Sequence, residues 1–454
     1  MTDSRKYFGT DGIRGRIGSE LLQPEFLVKL GWAAGKVLAR EKGISQVLVG
    51  KDTRLSGYLV ESSLEAGLSA AGMNVCLLGP MPTPAIAFLT KTMRAQAGVV
   101  VSASHNPYQD NGIKFFGPDG MKLSDELELE IERYIDLPLT CVDPSKLGRA
   151  HRLNDATGRY VQFSKSLFPS FQSLSGLKIV LDCAHGACYQ VAPLIFSELG
   201  ARVHVIGASP NGFNINNEYG ATELRNLQHT VVEMRADFGL AFDGDGDRLM
   251  MVNHEGVVVD GDDILYILAA NHVFRGQAIP GVVGTVMSNL GLEQALDRLK
   301  IPFLRSPVGD RHVSSMLKEK GWFLGGEPSG HILNLHLTTT GDGISAALQV
   351  LSAMQMQEKS LKDLCDLVKR PHVLINVPLK EMIALNDYPA IDQSVKALSS
   401  QLGKNGRVLL RTSGTELCVR VMVEEEDARK AREHAEDLVE VVVQALGVKK
   451  LLNQ

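Results

Sequence analysis

Three times along the chain a short β-branched run ends in a polar or glycine-bearing loop, and a helical segment follows. A second apolar run then ends in a loop dense with chemistry. The cycles begin near Val47, Ile179 and Val282, in "SQVLVGKDTR", "LKIVLDCAHGA" and "PGVVGTVMSN". Their second loops are the one at Ser102, "AFDGDGDR" and "GGEPSGH". Buried strands alternating with helices, such as "GYLVESSLEAGLSAAG" after the first, define βαβ units. The fold class expected is α/β, with three similar α/β domains of mixed sheets. The C-terminal part breaks the pattern with strands around "HVLINVPL" and "GRVLLRTSGTELCVRVMVE", then the amphipathic helix "DARKAREHAEDLVEVVVQAL". It reads as a smaller α+β domain. Breaks near "VDPSKLGRA", "MVNHEG" and "VKRPHVLINVP" place the domains at 1–148, 149–254, 255–370 and 371–454.

At 454 residues the chain is too long for a single core, and a formal net charge of -5 argues against a dedicated nucleic-acid binder. No apolar stretch reaches a membrane-spanning length and the N-terminal segment lacks an apolar signal region, so a cytoplasmic protein with neither membrane nor nucleic-acid partner is expected. Six cysteines without C-x-x-C pairing read as reduced thiols, and Cys183 and Cys188 as small buried residues.

"DGDGDR" puts Asp243, Asp245 and Asp247 at alternate positions in a glycine-bearing loop behind a buried-type strand. Three carboxylates there can converge on one hard cation, magnesium, at a strand end where α/β ligand sites form. The EF-hand alternative fails, because Arg248 and His254 occupy the places of its glycine and glutamate. Arg248 can pair with an aspartate or with a phosphate sharing the metal.

Ser102 lies in "VVSASHNPYQDNGIKFFGPDG", without the G-x-S-x-G elbow of acyl-transfer hydrolases. It reads either as a turn serine or as a phosphoryl carrier, with His105, Asn106 and Lys114 close in sequence. "GGEPSGH" offers Glu327, Ser329 and His331 to sugar hydroxyls, or is an ordinary polar loop. "RTSGTELCVR" carries Arg411, Ser413, Gly414, Thr415 and Arg420, a set matching a phosphate dianion. "FGTDGIRG" adds Arg14, another candidate phosphate contact.

Taken in order, "RKYFGTDGIRG", "GKDTRLSGY", "GPMPTPA", "SASHNPYQDNGIKFF", "FDGDGDR", "GGEPSGH" and "RTSGTE" resemble the α-D-phosphohexomutase family over the whole chain. The resemblance implies three similar α/β domains and a fourth of TATA-binding-protein-like topology. It makes Ser102 the phosphoserine, with one of its oxygens sharing magnesium with Asp243, Asp245 and Asp247. Arg14, His105, Lys114, Arg248 and His331 would line the reacting end. Glu327 and Ser329 would meet the sugar, and Arg411, Ser413, Gly414, Thr415 and Arg420 the non-reacting phosphate.

The reaction implied converts glucosamine 6-phosphate to glucosamine 1-phosphate through glucosamine 1,6-bisphosphate, supplying UDP-N-acetylglucosamine synthesis. The opening and "GPMPTPA" favour glucosamine over mannose or glucose. A metal-dependent phosphatase and a low-turnover binding protein are the readings from other classes. The partner is a phosphosugar, and the family permits a homodimer. Thr412, Leu417, Pro328 and His185 depart from the family's usual Lys, Pro, amide and Asn.

Overall fold

The computed structural model describes residues 5–39, 45–379, 381, 383–412 and 417–448. These fall into two compact units, residues 1–285 with 304–366, and residues 286–303 with 367–454.

The first unit holds the three repeats apart from residues 286–303 of the third. Strands β1 (Ile13–Arg16), β2 (Gln46–Lys51), β3 (Asn74–Pro80), β4 (Ala97–Val101), β5 (Asp110–Phe116) and β6 (Ala150–Arg152) form one sheet in the order β1-β5-β4-β2-β3-β6. A second sheet, β11-β10-β9-β7-β8, is built from β7 (Lys178–Asp182), β8 (Arg202–Ile206), β9 (Phe238–Phe242), β10 (Leu249–Asn253) and β11 (Val258–Val259). The third, β13-β12-β14-β15, uses β12 (Val282–Thr285), β13 (Phe303–Ser306), β14 (Leu324–Gly326) and β15 (Ile332–Asn334).

One rule positions every functional loop of this unit. In each sheet the strand that opens the cycle pairs in parallel with a second strand: β2 with β4, β7 with β9, and β12 with β14. The second strand then turns back into an antiparallel partner: β4 into β5, β9 into β10, and β14 into β15. The serine loop, the aspartate loop and the Glu327 loop are those three reversals. All three sit at the carboxyl ends of parallel strands, where open α/β sheets bind ligands. The strands feeding them are apolar at nearly every position because both faces are covered; β4 and β9 are buried throughout. The repeat visible in the sequence is therefore a repeat of topology.

The second unit has a three-stranded antiparallel sheet, β16 (His372–Pro378), β17 (Arg407–Thr412) and β18 (Cys418–Glu424), with β18 central. Helix Ala428–Leu446 buries Ala431, Ala435, Leu438, Val439 and Val442, a spacing of three and four that makes one apolar stripe. Asp427 caps its first turn through Arg429 N and Lys430 N, and Gly447 ends it in the left-handed conformation. Among the described residues no helix is long and apolar enough to cross a membrane.

Candidate active site

The serine loop brings two hydroxyls to two different carboxylates. Ser102, expected to carry phosphate and to share the metal, is fully buried. Its hydroxyl donates to Asp52 Oδ2 at 2.6 Å and accepts from Ser104 N at 3.0 Å, which leaves it engaged in holding backbone. Two residues on, the chain adopts φ = 52° at Ser104, a left-handed conformation that costs a non-glycine residue about 1–2 kcal/mol. Ser104 Oγ donates to Asp243 Oδ2 at 2.6 Å. The serine that meets the acidic loop is Ser104.

Asp243, Asp245 and Asp247 are each at most 5% exposed and offer ligand oxygens within 4.8 Å of one another. Gly246 takes a positive φ to close the turn, and Arg248 N donates to Asp243 Oδ1 at 3.2 Å. The chemistry of this donor set suits a hard divalent cation, since every donor is a carboxylate oxygen. Asp245 Oδ1 and Asp247 Oδ1 are buried without a hydrogen-bond partner among the described residues. Burial and the charges of Asp247 and Asp245 push the Asp243 carboxyl well above its ordinary range, a penalty that a bound cation removes.

Around the triad runs a closed ring of alternating charge. Lys114 Nζ, nearly fully buried, lies 3.2 Å from Asp11 Oδ2 and 3.6 Å from Asp247 Oδ2, as well as 3.1 Å from Asp245 Oδ2. From Asp247 Oδ1 the ring continues to His331 Nδ1 at 3.5 Å, and from His331 Nε2 to Asp310 Oδ2 at 3.7 Å. Asp310 meets Lys122 Nζ at 2.6 Å, and Lys122 closes the circuit on Asp11. Burial alone would neutralise the two basic groups, but their carboxylate neighbours override it. Lys114 is held well above its ordinary range by Asp11, Asp245 and Asp247, and His331 is raised to about 9 by Asp247 and Asp310. Asp247 is correspondingly held far down, against burial, by His331 and Lys114.

Ser104, Arg14, Arg248, Glu327 and His331 line one cavity of about 180 Å³. His105, lowered to about 4 by burial and by Arg248 and Arg14, brings Nδ1 to 3.4 Å from Ser104 Oγ. Glu327 Oε1 accepts from Gly309 N at 2.8 Å, whereas Ser329 is exposed at the tip of the same turn and does not line that cavity. His185 takes φ = 50°, a conformation also open to the Asn usual there, and its ring accepts from Ser209 N at 3.1 Å. The sequence reasoning missed Ser104, Asp11, Lys122 and Asp310. Only Ser104 had a local signal: it directly precedes "HNP", in the polar turn that follows β4.

In the second unit Arg411 and Arg420 stand directly opposite one another across β17 and β18. Like charges in that register are destabilising unless an anion intervenes. Burial and the neighbouring Arg420 lower the Arg411 guanidinium, whose Nε is buried without a hydrogen-bond partner among the described residues. Ser413, Gly414 and Thr415 lie outside the described residues.

Sequence profiles described as phosphoglucomutase/phosphomannomutase α/β/α domains I, II and III match residues 5–137, 158–256 and 260–370, and the C-terminal domain profile matches 374–441. The phosphoglucosamine mutase of Pseudoalteromonas atlantica is 57% identical over 448 residues, covering 98% of this chain and 100% of the relative. The crystal structure of a Burkholderia thailandensis phosphoglucomutase/phosphomannomutase family protein superposes with a TM-score of 0.82 at 23% identity, covering 98% of this chain and 99% of that one. Aspergillus fumigatus N-acetylphosphoglucosamine mutase, solved with GlcNAc-6P and magnesium, has a TM-score of 0.68 at 17% identity, covering 98% and 96%. With profiles of all four domains matched and relatives at this identity over nearly the full length, the chain belongs to the phosphoglucomutase/phosphomannomutase family, among its phosphoglucosamine mutases.

Proposed function

We propose that the chain interconverts glucosamine 6-phosphate and glucosamine 1-phosphate, with Ser104 as the phosphoryl carrier. The observation that carries this reading is the 2.6 Å contact between Ser104 Oγ and Asp243 Oδ2 at the mouth of the aspartate loop. The amino sugar is favoured by the 57% identity to a phosphoglucosamine mutase. In this reading three loop-bearing α/β domains, 1–148, 149–254 and 255–370, are followed by the phosphate-holding C-terminal domain, 371–454.

Asp243, Asp245 and Asp247 would hold magnesium, which when bound polarises the phosphoryl oxygens as a Lewis acid. In the forward direction the P–O bond to Ser104 Oγ breaks as a P–O bond to sugar O1 forms, and the proton of the O1 hydroxyl passes to Ser104 Oγ, to be given to sugar O6 in the return transfer. The glucosamine 1,6-bisphosphate then turns over and returns its 6-phosphoryl group to Ser104, leaving glucosamine 1-phosphate. Lys114 and His331, held cationic by their carboxylate neighbours, face the charge that spreads over the transferring oxygens. Arg14 and Arg248 flank the same cavity. Glu327 and Ser329 take the sugar hydroxyls. Arg411 and Arg420, with Ser413, Gly414 and Thr415, take the phosphate that does not react.

The test is phosphorus NMR of magnesium-loaded protein with glucosamine 6-phosphate and a trace of its 1,6-bisphosphate, run beside Ser104→Ala and Ser102→Ala. Turnover and a phosphoprotein that Ser104→Ala abolishes are expected, with Ser102→Ala still phosphorylated. Turnover that survives in Ser104→Ala refutes the carrier assignment. Release of inorganic phosphate alone makes the protein a phosphatase, and faster conversion of mannose or glucose 6-phosphate moves the substrate.

A further inference from the structure

The left-handed turn at Ser104 is held from two sides, by residues that nothing in the reaction itself accounts for. Arg54, 0% exposed, comes from the end of β2. Its Nη2 donates to Ser104 O at 3.0 Å and Asn106 O at 2.8 Å, while Nη1 reaches Pro107 O and, at 3.1 Å, Asp110 O. Nε is tied to Asp52 Oδ2 at 2.8 Å, the same carboxylate oxygen that takes the Ser102 hydroxyl. Asn216, from the loop after β8, reaches the same two carbonyls from the other side: its Nδ2 donates to Ser104 O at 2.8 Å and Asn106 O at 3.0 Å. Each of these carbonyls therefore receives two donors, filling both lone pairs.

The two clamping residues come from loops of different repeats. Arg54 is anchored in the sheet that carries the serine loop, whereas Asn216 lies in the second repeat, with its own backbone in the left-handed region at φ = 60° and its N–H donating to Ala184 O at 2.8 Å. That repeat also carries the aspartate loop. Gly244 lies against the joint, where a Cβ would fall 2.9 Å from Asn216 Nδ2 and 2.5 Å from Ser104 O. We propose that Arg54 and Asn216 are positioning residues that together set the Ser104 carbonyl, and through it the hydroxyl, against the aspartate loop. This rests on the reading of Ser104 as the phosphoryl carrier.

Asn216→Gly in the full-length chain is the decisive variant, because glycine keeps the left-handed backbone at no cost and deletes only the amide. Asn216→Asp keeps size but places an acceptor against two carbonyls, and Arg54→Lys replaces a planar fork by a single ammonium. Each variant is read for kcat, for KM with glucosamine 6-phosphate, for phosphoprotein by intact mass, and for thermal unfolding. In folded variants kcat is expected to fall about a hundredfold with KM little changed, the signature of a reacting atom displaced by about 1 Å. Asn216→Gly with the parent's kcat, a change confined to KM, or loss of folding in all three variants overturns the proposal. A Ser104→Ala sample that remains phosphorylated and active instead overturns the carrier assignment, whatever the clamp variants do.

Discussion

Gly244→Ala tests the site with a single methyl. A Cβ there would stand 2.5 Å from Ser104 O, 2.9 Å from Asn216 Nδ2 and 2.9 Å from Ile215 Cδ1, whereas ordinary contact begins at 3.4 Å. The carbonyl would have to retreat by about 0.9 Å, the difference between 3.4 and 2.5 Å. It cannot do so alone, because Arg54 and Asn216 hold it and the retreat takes Ser104 with it. Forcing a methyl into packed surroundings costs about 1–3 kcal/mol, and a misplacement near 1 Å at a reacting atom costs about a hundredfold in rate. Steady-state turnover of glucosamine 6-phosphate should therefore collapse, while thermal unfolding shifts down by only a few degrees. Gly244→Ala with activity within about twofold of the parent would refute the claim that these two loops are in fixed contact.

Gly158→Ala is the opposite case: that helical position is exposed and open around the added Cβ, so stability should rise by about 0.5–1 kcal/mol in urea unfolding with activity unchanged. Asp182 is raised to about 7 by burial, despite accepting from Gly220 N and Ala184 N. Because an unfolded Asp titrates near 3.9, the folded state keeps a proton that the unfolded state has lost, and stability should fall by about 3 kcal/mol as pH rises from 4 to 7. Asp182→Asn should lack that slope; parallel urea midpoints for the two proteins across this range would count against it. Arg411→Ala removes one cation from the opposed pair and should raise KM for the phosphosugar by about 10–100-fold with a smaller effect on kcat, as steady-state kinetics can establish.

Much of this was legible along the chain because topology and motif coincide. Each functional loop follows an apolar strand and precedes its antiparallel return, so glycines and charges behind an apolar run marked the Ser102, Asp243 and Glu327 regions in the sequence. Choosing between the two serines was beyond spacing, since both stand in the loop just past β4. What separates Ser102 from Ser104 is one backbone angle and the partner each hydroxyl meets, Asp52 or Asp243. Asp11, Lys122, Asp310 and Asn216 were invisible for another reason. Each is a single polar residue whose role depends on a contact more than a hundred positions away, such as Lys122 with Asp11 or Asn216 with Ser104.

The ring of Asp11, Lys114, Asp247, His331, Asp310 and Lys122 alternates in sign, and its formal charges cancel. A divalent cation held by the three aspartates presents positive charge to a phosphoryl dianion on Ser104, and the dianion presents negative charge to the cation. Cation and phosphoryl group are thus reciprocal effectors of one another. The phosphorylated chain should bind the metal more tightly than the unphosphorylated one, and by linkage the metal should favour the phosphorylated form over the unphosphorylated one by the same factor.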